Sequence, residues 1–299
     1  PQYKYDSTTN TALPVTNILP QSLGVETYIS SATGELDVKT IKFTINNVLI
    51  NNAEERSSAV LIPTLENILV DSGSVYTIKG NSLVKDETLV LACLNTTFTS
   101  DITKIGDCAF FGLNITSINI PDTITEVGSG AFAACNKLAD VTLPNTITEI
   151  PDFMCTECLS LKHIDIPNSV TRIGTGAFMF CSFLESVTFP SSLKEIGEQA
   201  FSMNECLSEV VIPEGVTTIG NYAFIENYNL MSISIPKSVT TIEESIAWGP
   251  KLVHVRWLTN IPYSSSFCAL THSTNISDVE VLYDSSAFKN RLETTSNGL

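Results

Sequence analysis

Three histidines, His163, His254 and His272, are the side chains of this chain best suited to moving a proton or holding a metal near neutral pH. Two of them have a charged residue two positions on: His163 with Asp165, and His254 with Arg256. Residues two apart on a strand share a face, so His163 beside Asp165 has the types needed to activate a nucleophile or bind a cation. Cys155-Thr-Glu-Cys158 has the C-x-x-C spacing of redox dithiols and half zinc sites. The surroundings that such chemistry requires are missing from the sequence. It contains no G-x-S-x-G, no H-E-x-x-H, no glycine-rich phosphate loop and no paired-carboxylate motif. The chain therefore reads as a non-enzyme with no metal and no cofactor. A hydrolytic or metal-dependent enzyme is the remote alternative.

The elements that would position these residues repeat. Pro121, Pro144, Pro167, Pro190, Pro213 and Pro236 recur every 23 residues, the signature of a solenoid of stacked units. One unit reads L-x-x-I-x-I-P-x-x-V-T-x-I-G-x-x-A-F-x-x-C/N-x-x. Its I-x-I run alternates like a strand with one buried face, and the proline ends the ladder because it has no N–H to donate. A second short apolar stretch follows (Ile147/Ile150, Val170/Ile173, Leu193/Ile196, Val216/Ile219, Val239/Ile242). Gly128, Gly174, Gly197 and Gly220 then read as turn glycines. The pairs Ala131-Phe132, Ala177-Phe178, Ala200-Phe201 and Ala223-Phe224 predict a short helical turn whose ring fills each coil.

Cys135, Cys158, Cys181, Asn204 and Asn227 occupy one repeat position. Asn cannot stand in for half a disulfide, so this column predicts a buried structural ladder that satisfies backbone groups of its own loop. Both members of the C-x-x-C are thus explained by the repeat, and mostly free thiols are expected; Cys93, Cys108, Cys206 and Cys268 show no ligand spacing. Two departures stand out. Cys155 sits where a phenylalanine belongs, and Phe153 is expected to fill the vacated space. Near Trp248 the Ala-Phe pair is lost and one residue is deleted, since Leu252 follows Leu230 by 22.

The unit resembles the 23-residue leucine-rich repeats of BspA-like surface antigens, most closely over about residues 100–258. The segments 64–70 and 80–93 resemble that family's hairpin-bearing variant repeat, and 279–283 with 285–292 its closing strand and cap helix. The fold class implied is a β-rich leucine-rich-repeat solenoid: parallel stacked strands with short helical turns, capped at both ends. The expected organisation is a capping or degenerate region over 1–62, with a strand or hairpin in 36–45, the solenoid over 63–262, and a C-terminal cap over 263–299. The resemblance implies a cell-surface or secreted protein-interaction module, with adhesion to host matrix or other-cell proteins as its role. A rigid spacer presenting another domain is the alternative.

The outward positions of the strands predict two columns on one face, taken as concave: Ser117/Asn119, Asp140/Thr142, His163/Asp165, Ser186/Thr188, Glu209/Val211, Ser232/Ser234 and His254/Arg256. Such a face is the candidate surface for a protein partner; solvated strand positions are the simpler reading. The Thr column (Thr125, Thr148, Thr171, Thr217, Thr240) reads as β-branched residues whose hydroxyls bond neighbouring coils. A net charge of −16 argues against nucleic acid or an anionic membrane as partner. There is no 18-residue apolar run and no signal segment, so the chain is expected to be a mature or trimmed fragment and a monomer. Asn95, Asn114 and Asn275 head glycosylation sequons, relevant in a eukaryotic secretory pathway.

Overall fold

An I-x-I run closed by proline can pair for only a few residues, and that is the length each front strand reaches. The computed structural model describes residues 65–70, 76–242, 246–247 and 250–259, and the backbone of strands Tyr5–Asp6, Thr11–Ala12, Val25–Thr27, Thr40–Phe43 and Asp278–Val281. The front strands are Ser117–Asn119, Asp140–Thr142, His163–Asp165, Ser186–Thr188, Glu209–Val211, Ser232–Ile235, His254–Trp257 and Asp278–Val281. All their pairings are parallel, at the 23-residue step of Ser117↔Asp140, His163↔Ser186 and Glu209↔Ser232. The step falls to 22 at Ser232↔His254, where the deletion was read, and rises to 24 at His254↔Asp278. The ladder is interrupted: the first two strands pair with each other, the next two likewise, and the last four form one sheet.

The second apolar stretch makes a second face. Glu149–Ile150, Arg172–Ile173, Glu195–Ile196, Thr218–Ile219 and Thr241–Ile242 form one parallel five-stranded sheet. Glu126–Val127 and Lys104–Ile105 belong to another, which runs on into the antiparallel strands Thr88–Leu91, Ser82–Lys85 and Thr77–Lys79. This is the hairpin-bearing unit. Upstream, Thr40–Phe43 pairs antiparallel with Val25–Thr27 and parallel with Asn67–Val70, so a strand lies within 36–45 as expected. His272, Cys268, Trp248 and the cap helix at 285–292 lie outside the described residues.

Between the faces runs a continuous apolar interior. Phe110, Phe132, Phe178, Phe201 and Phe224 are fully buried, and burial of each contributes about 1.5–3 kcal/mol. Phe178–Phe201 and Phe201–Phe224 stack at 5.2 and 5.5 Å, and Phe110–Phe132 meet tilted at 4.9 Å. Trp257, in register with Ile235, is buried in place of an aliphatic residue. The segment carrying these rings is a run of turns; no helix occurs among the described residues. Its path is set from outside: the N–H groups of Phe132, Phe178 and Phe201 donate to Met154, Ala200 and Ala223 of the next coil, at 2.8–2.9 Å, where a helical turn would keep them for itself.

Phe153 does not fill the gap at Cys155. It is 41% exposed with φ 56°, while Met154 beside it is completely buried. Met154 takes the alanine position and Cys155 the phenylalanine position, so large and small have exchanged places. Ile246-Ala247 repeats the exchange, with Ala247 bridged to Phe224. The coil conserves the volume of the pair and not the identity of its members.

The glycines also act differently from the expected turn role. Gly174 has no left-handed φ; a Cβ there would lie 2.4 Å from Asp152 Oδ1 and 2.6 Å from its N, because the preceding coil is that close. One left-handed column is Gly130, Phe153, Gly176, Gln199 and Tyr222, and another includes Phe180 and Met203, so most of these positions hold non-glycine residues, with φ of 53–60°. Each such conformation costs about 1–2 kcal/mol, and the forward hydrogen bonds between coils offset it. The Thr hydroxyls do bond neighbouring coils, Thr171 to Thr148 O at 3.3 Å and Thr217 to Lys194 O at 3.2 Å.

Candidate functional site

Outward strand positions in exact-length repeats must line up, and here they do. Registers Ser117↔Asp140, His163↔Ser186 and Glu209↔Ser232↔His254 build one column; Asn119↔Thr142, Asp165↔Thr188 and Val211↔Ser234↔Arg256 build the other. Most of these side chains are exposed, including Asp140, Thr142 and Glu209. Ser232 is half-buried, and Ser234 departs from the pattern at 8% exposure, flanked in register by the larger Val211 and Arg256.

At the centre lies a connected group. Ser186 Oγ is 2.7 Å from His163 Nδ1, His163 Nε2 is 2.9 Å from Asp165 Oδ1, and Thr188 Oγ1 reaches the same nitrogen at 3.4 Å. The hydrogen bond from His163 holds the Asp165 carboxyl below its ordinary value, with Thr188 adding to the effect. These are the contacts of a Ser-His-Asp relay, assembled across two coils. Yet His163 and Asp165 are 45% and 76% exposed, and a relay in bulk water lacks the dry, preorganised surroundings in which such contacts drive acyl transfer. What the arrangement does well is fix three polar side chains in one orientation. At the far end Arg256 holds Glu280 at 2.7 Å, tying the closing strand to its neighbour.

The cysteine column is structural. Cys135, Cys158 and Cys181 are buried and donate Sγ–H to Phe110 O, Phe132 O and Cys155 O at 3.0–3.2 Å. The carbonyls belong to the preceding coil, not to the cysteine's own loop as expected. Asn227 does both, donating to Phe201 O at 3.0 Å and to Phe224 O at 2.8 Å. Asn204, also buried, leaves both side-chain amide atoms without a hydrogen-bond partner. Burial pushes the Cys135, Cys158 and Cys181 thiols well up. At Cys155 a hydrogen bond from Cys158 pulls down, burial pushes up, and the net direction is up. Thiolate is the reactive form, so this C-x-x-C is inert in the folded chain. All seven cysteines among the described residues are unbridged.

No group of three or more His, Cys, Asp or Glu among the described residues could hold a metal. No helix among them is long and apolar enough to cross a membrane. A cleft of ≈ 420 Å³ lies where the hairpin meets the first coils, lined by Tyr76, Lys85, Asp107 and Val127, with the Lys104–Glu126 ion pair (2.8 Å) on its wall. Sequence reasoning did not foresee it, because it forms between a variant and a regular unit.

The leucine-rich repeat protein of Bacteroides ovatus is similar in structure at a TM-score of 0.59 and 19% identity, covering 86% of this chain and 75% of that one. That likeness shows the fold. A leucine-rich repeat protein of Eubacterium ventriosum is 25% identical over 53% of this chain and 52% of that one, at a TM-score of 0.45. A leucine rich cell surface protein of Faecalibacterium prausnitzii is 22% identical over 84% and 62%, at 0.44. No curated protein matches the chain. The family described as BspA type leucine rich repeat region matches in six copies, over residues 91–185, 148–268 and 173–294. With the 23-residue register, the buried Cys/Asn ladder and this match over most of its length, the chain belongs to the BspA type leucine-rich-repeat family.

Proposed function

We propose that this chain is a non-catalytic interaction module of the cell surface or extracellular space, binding partner proteins through its front strand face. The observation that carries the reading is the alignment of polar, exposed side chains in two columns at a fixed step, with His163, Asp165, Ser186 and Thr188 locked together at its centre. Many aligned side chains on a stiff scaffold meet one partner at a low entropic cost. Adhesion to host matrix or other-cell proteins is the role we assign. The binding residues are the fourteen outward positions, less the buried Ser234. The unit boundaries we assign are 1–62, 63–262 and 263–299.

The test is biolayer interferometry against a panel of extracellular matrix proteins, for the parent and for a His163→Ala, Asp165→Ala, Glu209→Ala variant. Arg256 is left in place because it anchors Glu280. Saturable binding lost in the variant supports the reading. A folded parent that binds nothing on the panel removes adhesion and favours the rigid spacer.

A further inference from the structure

A second surface lies on the turn edge, beyond the buried column Leu161, Leu184, Leu207 and Leu230 that separates it from the front face. There the hydrogen bonds place successive coils one above another. Ser160 Oγ donates to Asn136 O at 2.7 Å, Cys206 N to Ser182 O at 3.1 Å, and Asn229 Nδ2 to Glu205 O at 2.6 Å. Glu157 N, Phe180 N and Met203 N donate forward to Met179, Ser202 and Ile225. Phe180 with Phe183 and the half-buried Met203 with Cys206 therefore stack on consecutive coils, at the roughly 4.8 Å spacing of neighbouring strands, with Leu159 on the coil before and Tyr228 on the coil after.

Solitary exposed apolar residues are ordinary, but a contiguous set on one edge is not. Leu159, Phe180 and Tyr228 are exposed, and Phe183 is 56% exposed. Phe180 is left-handed at φ 59°, so the backbone itself turns this ring outward while its N–H bonds the next coil. The same left-handed φ recurs at Ala134, Glu157, Met203 and Glu226, so the repeat fixes the backbone here and only the side chain at Phe180 makes the position apolar and exposed. Interleaved with the apolar side chains are the exposed Glu157 and Glu205 and the half-buried Glu226; Glu185, like Lys162 one coil before it, lies beside the front strand. Glu226 and Glu205 both push the Tyr228 phenol up, Glu226 the more strongly. Lys162 lies near the front face, and Lys251 is engaged by Asn229 at 2.6 Å.

We infer that this edge is a docking surface for a basic polypeptide segment that carries aromatic or aliphatic anchors between lysines or arginines. The acidic residues steer and orient a cationic partner, and the rings supply desolvated anchor contacts. Nucleic acid and acidic peptides are excluded by the same charge. A second copy of this chain, at net −16, is disfavoured on that ground as well. The surface is separate from the front face and does not depend on that face binding anything.

Fluorescence anisotropy with a labelled synthetic peptide alternating Lys with Leu and Trp tests this, alongside Lys/Ser and Glu/Leu/Trp peptides of equal length. The expected result is saturable binding of the first peptide only, weakened about tenfold or more by Phe180→Ser with Phe183→Ser, and severalfold by Glu157→Gln with Glu205→Gln. If the double Ser variant melts early, Phe183→Ser alone serves. The His163, Asp165, Glu209 variant should bind as the parent does. Absence of binding, equal binding of the Lys/Ser peptide, or no loss in the ring variants overturns the inference. Loss in the front-face variant also overturns it, while leaving the front-face proposal standing.

Discussion

Returning the third coil to the repeat's usual pair, by Met154→Ala with Cys155→Phe, puts the conserved-volume rule under direct test. Met154 is completely buried, so Met154→Ala alone leaves a cavity and should cost about 2–5 kcal/mol. Cys155→Phe alone forces a ring into space that Met154 already occupies, an overpacking cost of about 1–3 kcal/mol. Together the changes conserve volume, which cores tolerate at less than about 1.5 kcal/mol. The new ring would also stand between Phe132 and Phe178, closing a column whose neighbours stack at 4.9–5.5 Å elsewhere. Each such ring contact adds about 0.5–1.5 kcal/mol. The double variant should therefore match or exceed the parent, with a coupling of about 2 kcal/mol or more between two touching residues. Urea denaturation followed by circular dichroism on all four proteins measures it. Additive losses, or a neutral Cys155→Phe, would refute the reasoning, since either means that the two positions do not share one space.

Asn204→Cys should stabilise the chain by about 1 kcal/mol or more, because it removes a buried amide with no partner and restores the residue that the three preceding coils carry at this position; a lower Tm would contradict this. Gly174→Ala should destabilise by about 1–3 kcal/mol from its contact with Asp152, although its φ suits alanine, and an unchanged denaturation midpoint would remove the close-approach account. The Cys135, Cys158 and Cys181 thiols have folded-state values above the unfolded 9.0, so their contribution is fully present below pH 9.0 and is lost as pH rises above it. Each contributes a slope of about 1.4 kcal/mol per pH unit there. Stability measured from neutral to alkaline pH in the parent and in a Cys158→Ala variant checks this, and a flat profile would count against it. In native protein a colourless disulfide reagent should label the partly exposed Cys206 first, and the buried column only after denaturation.

The repeat was legible because it is a property of single positions. I-x-I-P marks the front strands, the 22-residue step marks the deletion, and the Cys/Asn alternation excludes disulfides; the register agrees on each. What escaped are properties of pairs of coils. Phe153 looks like the natural filler beside Cys155, but its backbone is committed to a left-handed bond with Thr175 O at 2.8 Å, and Met154 faces inward instead. Gly174 looks like a turn glycine until the Asp152 backbone of the preceding coil is seen against it. Non-glycine residues at positive φ run against local preference and are held by bonds from outside the segment. The front-face columns could be read from alternation alone, whereas the Ser186–His163 contact needed the register that joins coils, and the apolar edge needed the turn geometry that aims Phe180 outward.

Along the ring-bearing segment alternate N–H groups of successive coils point the same way. Those of Gly130, Phe132 and Ala134 point to the coil of Asp152, Met154 and Thr156, and those of Gly176, Phe178 and Phe180 to the coil of Glu198, Ala200 and Ser202. Each peptide unit carries a dipole of about 3.5 D, and head-to-tail alignment sums them as it does along a helix. Over the described coils that segment is therefore polarised along the stack, with carbonyls toward the Cys93 side and N–H groups toward the Trp257 side, whereas the N–H groups of Gly174, Gly197 and Gly220 point back to Ile150, Ile173 and Ile196. Each coil thus carries two opposed rows of peptide dipoles, one on the ring-bearing segment and one on the second face, so the stack can lengthen without building up a macrodipole of the kind a long helix carries.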